Sequence, residues 1–269
     1  MRDQRVATYL DRIVTAHRET ARADTRRLDL LIGEAQAQPP ARGFATALRS
    51  VTGLGVIAEV KRRSPSKGDL HVHLDPAELA RAYEHGGATC LSVLTDREFF
   101  GGSPEDLRDA RLAAAVPVLR KDFTVAAADV CDARIMGADA VLLIVAVLDD
   151  TELRDFQALA GELRLDALVE VHDEAELDRA MAAGVALVGV NQRDLVTFEV
   201  DPTRAVRVGR ALSERGDDVV RVAESGIRGP EDAAVLARAG FDAVLVGESL
   251  VTSGDPAGAV RALRTASAR

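Results

Sequence analysis

Residues 117–123 read PVLRKDF. Pro117, Val118 and Leu119 open as a buried strand would, and Arg120, Lys121 and Asp122 follow with no ordinary turn residue between. The same form recurs along the chain. Short β-branched or leucine-rich runs stand at VIAEVK (56–61), CLSVLT (90–95), VPVLRK (116–121), AVLLIV (140–145), ALVEV (167–171), LVGVN (187–191), VVRVAES (219–225) and AVLVGE (243–248). Successive runs start 20 to 35 residues apart, room for one strand, one helix and two loops.

The intervening segments have helical patterning. DPAELARAYEHGG (75–87) starts with Asp-Pro and stops at Gly86-Gly87, a good start and a good stop for a helix. AADVCDARIMGAD (127–139), DEAELDRAMAAGV (173–185) and GPEDAAVLARAGFDA (229–243) follow the same plan, each closing at a glycine. Eight such units predict a single (β/α)8 barrel over residues 51–269. A doubly wound sheet is the rival, but no G-x-G-x-x-G follows the first strand. Residues 1–50 predict an N-terminal helical extension, with Leu10, Ile13, Val14 and His17 on one face and a break at QAQPPARGF.

Composition agrees with this architecture. Of the 269 residues 47% are hydrophobic but only 3% aromatic, with no Trp. The core must therefore be Ala, Val, Leu and Ile, the residues of buried parallel strands. A net charge of −9 gives no basic face for nucleic acid or anionic membrane. No apolar run reaches a membrane span, and the charged start MRDQRVATYLDRIV lacks the apolar stretch of a signal peptide. A cytoplasmic protein is expected. Cys90 and Cys131 read as small buried hydrophobes and not as a disulfide framework.

In a barrel of this kind the C-terminal strand ends build the site. Those ends carry Glu59 and Lys61, Lys121 and Asp122, Glu170, Asn191 and Arg193, Glu224 with Ser225-Gly226, and Gly247-Glu248. Strand alternation puts Glu59 and Lys61 on one face. Charge carried inward at the mouth yields acids and bases with shifted pKa values, and a lysine there can be lowered towards neutrality. Ser225-Gly226 and Gly247-Glu248 lie where this fold binds phosphate. Lys61, Arg62, Arg63 and Lys67 cluster in one loop of an acidic chain, which suits a substrate with a phosphate and a second anionic group. His71 and His73 have no third ligand in the sequence, so no metal is expected.

The stretches IAEVKRRSPSKG (57–68), LTDREFFGGS (94–103), PVLRKDF (117–123), LVEVHDEAEL (168–177), GVNQRDLVTFEVD (189–201), VAESGIRGPED (222–232) and LVGESL (245–250) resemble the indole-3-glycerol phosphate synthases of tryptophan biosynthesis, in the same order along the chain. The resemblance covers about residues 45–265 and implies a carboxy-lyase. The substrate would be 1-(2-carboxyphenylamino)-1-deoxyribulose 5-phosphate, closed to indole-3-glycerol phosphate with loss of CO2 and water. It implies no cofactor. By the same resemblance Lys121 is the general acid on the ribulose carbonyl. Lys61 holds the anthranilate carboxylate, with a share in later proton transfer, and Glu170 is the base for dehydration. Glu59 and Asn191 orient the substrate hydroxyls and Lys121. Ser225, Gly226, Gly247 and the backbone at Glu248 form the phosphate cradle. Ser64, Arg193 and Glu224 support the site, and Phe100, Phe123 and Leu195 wall the anthranilate ring.

Three other readings compete. A sugar-phosphate isomerase would use paired carboxylates or a Cys/Asp pair where this chain has lysines. A Schiff-base aldolase would make Lys121 or Lys61 a nucleophile. A non-catalytic barrel would be expected to lose several of Lys61, Lys121, Glu170 and Asn191, and all four are present. The expected partner is a small phosphorylated molecule. The chain is expected to act as a monomer, with weak self-association the alternative.

Overall fold

The computed structural model describes residues 8–215 and 218–266. The first seven residues of the expected extension and the last three of the expected barrel lie outside the described residues. Eight parallel strands close on themselves: β1 (Gly55–Val60), β2 (Cys90–Leu94), β3 (Val118–Lys121), β4 (Ala140–Ile144), β5 (Asp166–Val171), β6 (Leu187–Asn191), β7 (Val220–Glu224) and β8 (Ala243–Val246). Each pairs with its sequence neighbour, and β8 returns to β1 with Gly55 opposite Ala243 and Ala58 opposite Val246. This is the predicted (β/α)8 barrel. An additional two-stranded hairpin, Arg63–Ser64 with Gly68–Asp69, stands on the β1 loop.

Alternation along each strand sorts the residues into two cores. Ile57, Leu119, Leu142, Leu168, Val222 and Leu245 point inward and fill the barrel. Val56, Ala58, Leu91, Val141, Val169 and Val244 point outward and meet the helices. Both faces of the sheet are thus dry, which is why the strands read as continuous apolar runs. Cys90 and Cys131 are buried free thiols.

Three helices precede the barrel: α1 (Tyr9–Ala23), α2 (Leu28–Gln36) and α3 (Phe44–Ser50). The sequence reads as one helical segment over 7–35, but the chain is extended at Asp24 and restarts at Leu28. Arg26 lies in this break, pairing with both Asp24 and Asp132, so the interruption is fastened to the barrel's helix layer. α3 closes the N-terminal end of the barrel. Phe44 and Leu48 are fully buried and join the inner core, each worth roughly 1.5–3 kcal/mol of apolar burial.

Six of the barrel helices are α4 (Pro76–Gly86), α5 (Pro104–Ala113), α6 (Ala127–Ile135), α7 (Asp150–Glu162), α8 (Glu174–Ala182) and α9 (Arg204–Arg215). Local chemistry starts several of them. Asp75 accepts from Ala77 and Glu78, Ser103 from Asp106, and Asp149 forms a reciprocal cap with Glu152. No helix among the described residues is long and apolar enough to cross a membrane.

α1 lies across the opposite end, the mouth formed by the C-terminal strand ends. Tyr9, Leu10 and Ile13 face the cavity there. Arg18 fastens the helix to α7, donating to Glu152 Oε2 at 2.8 Å and to the carbonyls of Val125 (3.1 Å) and Val147 (3.2 Å).

Candidate active site

The mouth holds a cavity of about 1030 Å³ lined by residues from every part of the barrel rim. The five expected catalytic positions, Glu59, Lys61, Lys121, Glu170 and Asn191, all line it. So do Ser64, Phe100, Phe123, Arg193, Leu195, Glu224, Ser225, Gly226, Gly247 and Glu248.

The Arg-Lys-Asp run at 120–122 resolves into two faces. Lys121 points inward with Leu119 below it. Arg120 and Asp122 are also buried but pair with each other at 3.1 Å on the other face of the strand. Thr95 donates to Asp122 Oδ2 at 2.5 Å and receives Arg120 Nε at 3.2 Å. Arg120 also donates to the Asp129 carbonyl at 2.7 Å, so the guanidinium is spent on the scaffold; Asp122 touches the cavity edge, and Lys121 is the cation of the run that lines it.

Lys121 Nζ is 3.4 Å from Glu170 Oε2 and 3.8 Å from Glu224 Oε2. Asn191 Nδ2 donates to Glu170 Oε1 at 3.0 Å, and its own Oδ1 accepts the Arg193 backbone N–H at 3.0 Å. On β1, Lys61 Nζ lies 2.5 Å from Glu59 Oε1. Glycines make room for these carboxylates. A methyl at Gly189 would overlap Glu224 Oε1, and one at Gly247 would overlap Glu59 Oε1 and crowd Lys61 Nζ.

The electrostatics correct one expectation. Burial alone would lower the pKa of Lys121, but the charges of Glu170, Glu224 and Glu59 outweigh it and hold the ammonium above the usual lysine range. The lysine is not lowered towards neutrality; it is a stably charged proton donor. Burial raises Glu170, yet Lys121, His172 and the Asn191 hydrogen bond bring it below the usual carboxylate range. Glu224 goes the other way: burial first, then the Glu170 charge, push it well up. The cluster therefore offers a charged acid, an ionised base and a neutral carboxylic acid side by side.

The loop cations divide. Arg62 pairs with Asp106 at the start of α5, and Arg63 donates to the Glu98 carbonyl. Both are absorbed by the scaffold and neither lines the cavity. Lys67 lines it, mostly exposed and 3.8 Å from Glu248 Oε1. Arg193 donates to the Phe198 carbonyl at 2.9 Å, which pins its own loop. Ser64 Oγ is buried with no hydrogen-bond partner among the described residues. Ser225 and Gly226 both have left-handed backbones (φ 67 and 73), a sharp turn that only a small residue such as Gly226 makes at little cost. Phe100 and Phe123 form an apolar wall with ring centres 6.4 Å apart.

Several rim residues carried no recognisable signal. Tyr9 stacks edge-on with Phe198 at 5.5 Å and with Phe99 at 5.8 Å, closing one side of the cavity from α1. His17 Nε2 sits 2.9 Å from Asp96 Oδ2 and 3.8 Å from Asp122 Oδ1. These three could offer a metal one atom each within 4.8 Å. Their oxygens are already occupied: Asp96 Oδ1 accepts the N–H groups of Phe99 and Phe100, and Asp122 accepts from Thr95, Arg120 and Phe123. The trio is a hydrogen-bonded hub fastening α1 to the rim. His71, His73 and His85 are exposed.

Comparison with known proteins agrees with the geometry. The family model described as indole-3-glycerol phosphate synthase matches residues 10–263. A protein of that name from Mycolicibacterium smegmatis is 51% identical over 97% of this chain and 95% of its own. One from a Nocardioides species is 54% identical over 93% of each. Among solved structures, thiamine phosphate pyrophosphorylase from Pyrococcus furiosus superposes with a TM-score of 0.59 at 17% identity, over 80% of this chain and 96% of that one; this likeness is of fold alone. Half of all positions shared across nearly the full length settles the matter of kinship: the chain belongs to the indole-3-glycerol phosphate synthase family.

Proposed function

We propose that this protein closes the indole ring of 1-(2-carboxyphenylamino)-1-deoxyribulose 5-phosphate, releasing CO2 and water to give indole-3-glycerol phosphate. The observation that carries the reading is the Lys121–Glu170–Asn191 cluster at the mouth of the barrel, with the Glu59–Lys61 pair in the same cavity.

The chemistry asks for three things. A proton must reach the ribulose carbonyl oxygen as the carboxylate-bearing ring carbon attacks the carbonyl carbon. Lys121, held charged by its carboxylates, is the donor. The carboxylate must then leave as CO2 and restore the aromatic ring. Lys61 grips that carboxylate from the rim, beside the apolar wall of Phe100, Phe123 and Leu195. Last, the new hydroxyl must leave as water while a proton departs the neighbouring carbon. Glu170, ionised and oriented by Asn191, takes that proton, and a lysine ammonium supplies the one that leaves with the hydroxyl. Each proton-transfer group is worth on the order of 10²–10⁴ in rate.

Glu59 orients Lys61 and the substrate hydroxyls, and Glu224, kept neutral, donates a hydrogen bond without adding a repelling charge. The phosphate is assigned to the Ser225-Gly226 turn and the backbone of Gly247 and Glu248, with Ser64 and Arg193 in support. No metal or organic cofactor enters the scheme. The test is to incubate the purified protein with the carboxyphenylamino sugar phosphate and follow indole fluorescence, against a chain with no Trp of its own. Absence of indole would refute the reading. Borohydride trapping separates the aldolase alternative, because the proposed route forms no covalent adduct.

A further inference from the structure

His172 follows β5 directly, two residues beyond Glu170, so both side chains lean to the same side of the strand. The ring is only 12% exposed. Its Nδ1 lies 2.9 Å from Glu176 Oε2, and that oxygen also accepts the His172 backbone N–H at 2.8 Å. Its Nε2 lies 3.5 Å from Glu170 Oε1 and is buried with no hydrogen-bond partner among the described residues. A carboxylate oxygen only accepts, and a neutral imidazole carries one N–H. One N–H cannot serve carboxylates at both edges of the ring. The arrangement is satisfied when both nitrogens carry hydrogen.

The charged groups facing the ring are Glu170 from β5, Glu176 at the start of α8 and Arg204 at the start of α9. Burial and Arg204 work against the imidazolium, and the two carboxylates outweigh them. Around Glu170 the division is clear. Oε1 is held by Asn191 and faced by His172, while Oε2 faces Lys121 and the cavity. We propose that His172 is a positioning residue for the ring-closing reaction: anchored by Glu176, it sets a positive edge against Glu170 Oε1, keeps that carboxylate ionised and leaves Oε2 to work on the substrate. This inference rests on the reading of Glu170 as the base.

The experiment is a pH profile of kcat and KM, from about pH 3.5 to about pH 9, on the full-length protein and its His172→Gln and Glu176→Gln variants. On the acid side kcat falls as Glu170 takes up a proton. In His172→Gln that limb should move about one unit towards neutrality, an approximately tenfold loss on the limb. KM should stay within about twofold, and the rate should recover at high pH. Glu176→Gln should shift the limb the same way by less. In nitrogen-labelled protein the His172 ring should titrate above the ordinary histidine value of 6.5, and that difference should shrink in Glu170→Gln.

A His172→Gln limb that coincides with wild type, or a loss equal at every pH, overturns the proposal. Should His172→Gln fail to fold, Glu176→Gln decides alone, because it changes a side chain at the edge of the site. Glu170→Gln separates the two levels. Full turnover there removes the base itself and this inference with it. An inactive Glu170→Gln beside an unmoved His172→Gln profile sinks only the role of His172.

Discussion

The ammonium of Lys121 and the carboxylate of Glu170 face each other at 3.4 Å across the barrel mouth, with β4 between their strands. Neither group is mobile in charge near neutrality. Each stabilises the ionised form of the other, against a burial that opposes both. Lys121→Ala should therefore lower kcat by about 10²–10⁴ and leave KM within a few-fold, as steady-state indole fluorescence would report. A large rise in KM with kcat preserved would contradict an acid role.

The raised pKa of Lys121 gives a second expectation. A group whose pKa lies above its ordinary value stays protonated throughout the neutral range. Lys121 should therefore contribute no fall to the alkaline side of the kcat profile up to about pH 9, where the change expected is the ionisation of Glu224, pushed up to about 8 by burial and the Glu170 charge. A fall centred near neutrality that persists in Glu224→Gln would mean that the lysine is titrating, and that the three carboxylates do not hold it charged.

Gly247→Ala is aimed at the Glu59–Lys61 pair. Its methyl would occupy the space of Glu59 Oε1. The strand is otherwise undisturbed, so the protein should fold, with a stability cost of about 1–3 kcal/mol. Activity should drop at least tenfold. An active Gly247→Ala enzyme with an unchanged KM would show that the pair is free to move without consequence.

Asp139 tests the scaffold instead of the site. It is fully buried, accepts the N–H groups of Arg42 (2.7 Å) and Val118 (2.8 Å), and pairs with Arg111. It ties the segment before α3 to β3 at the closed end of the barrel. Asp139→Ala leaves those donors unanswered and should cost about 3–5 kcal/mol in denaturant unfolding, with KM near normal wherever the variant stays folded. Unchanged stability would remove Asp139 from the account.

His17 gives a pH-dependent stability. Burial lowers its pKa, but the Asp96 hydrogen bond and the charges of Asp122, Asp96 and Asp129 raise it overall. Its folded pKa thus exceeds its unfolded value. The stabilisation is full below the unfolded value of 6.5 and fades as pH rises through the folded one. The stability difference between wild type and His17→Ala should be on the order of 1 kcal/mol near pH 6 and smaller near pH 9. A difference that grows with pH would reverse the sign and refute the assignment.

The barrel was legible because strand period and unit spacing survive in the sequence. Apolar runs such as AVLLIV can be buried on both faces only if helices cover them, and the helix stops at Gly86-Gly87 and Gly137 mark where each unit turns back. The inward charges were legible by the same alternation, Glu59 with Lys61 above all. What could not be read depends on which distant group answers each charge. Lys61 and Arg62 are neighbours, yet one reaches the cavity and the other is taken by Asp106. The direction of the Lys121 shift sums carboxylates from three other strands, which no local pattern encodes. His172 stood in view, two residues from Glu170 and four from Glu176, but its spacing acquires meaning only once Glu170 is known to point inward.

The seat of α1 bears on how the chain matures during synthesis. Arg18 leaves the ribosome early, but its partner Glu152 lies 134 residues later, and His17 waits 79 residues for Asp96. The wall that Tyr9, Leu10 and Ile13 give the pocket is thus made first and fitted late. A nascent chain that stops short of Glu152 carries an amphipathic helix with an incomplete berth, an apolar face exposed to its surroundings until the far half of the polypeptide arrives.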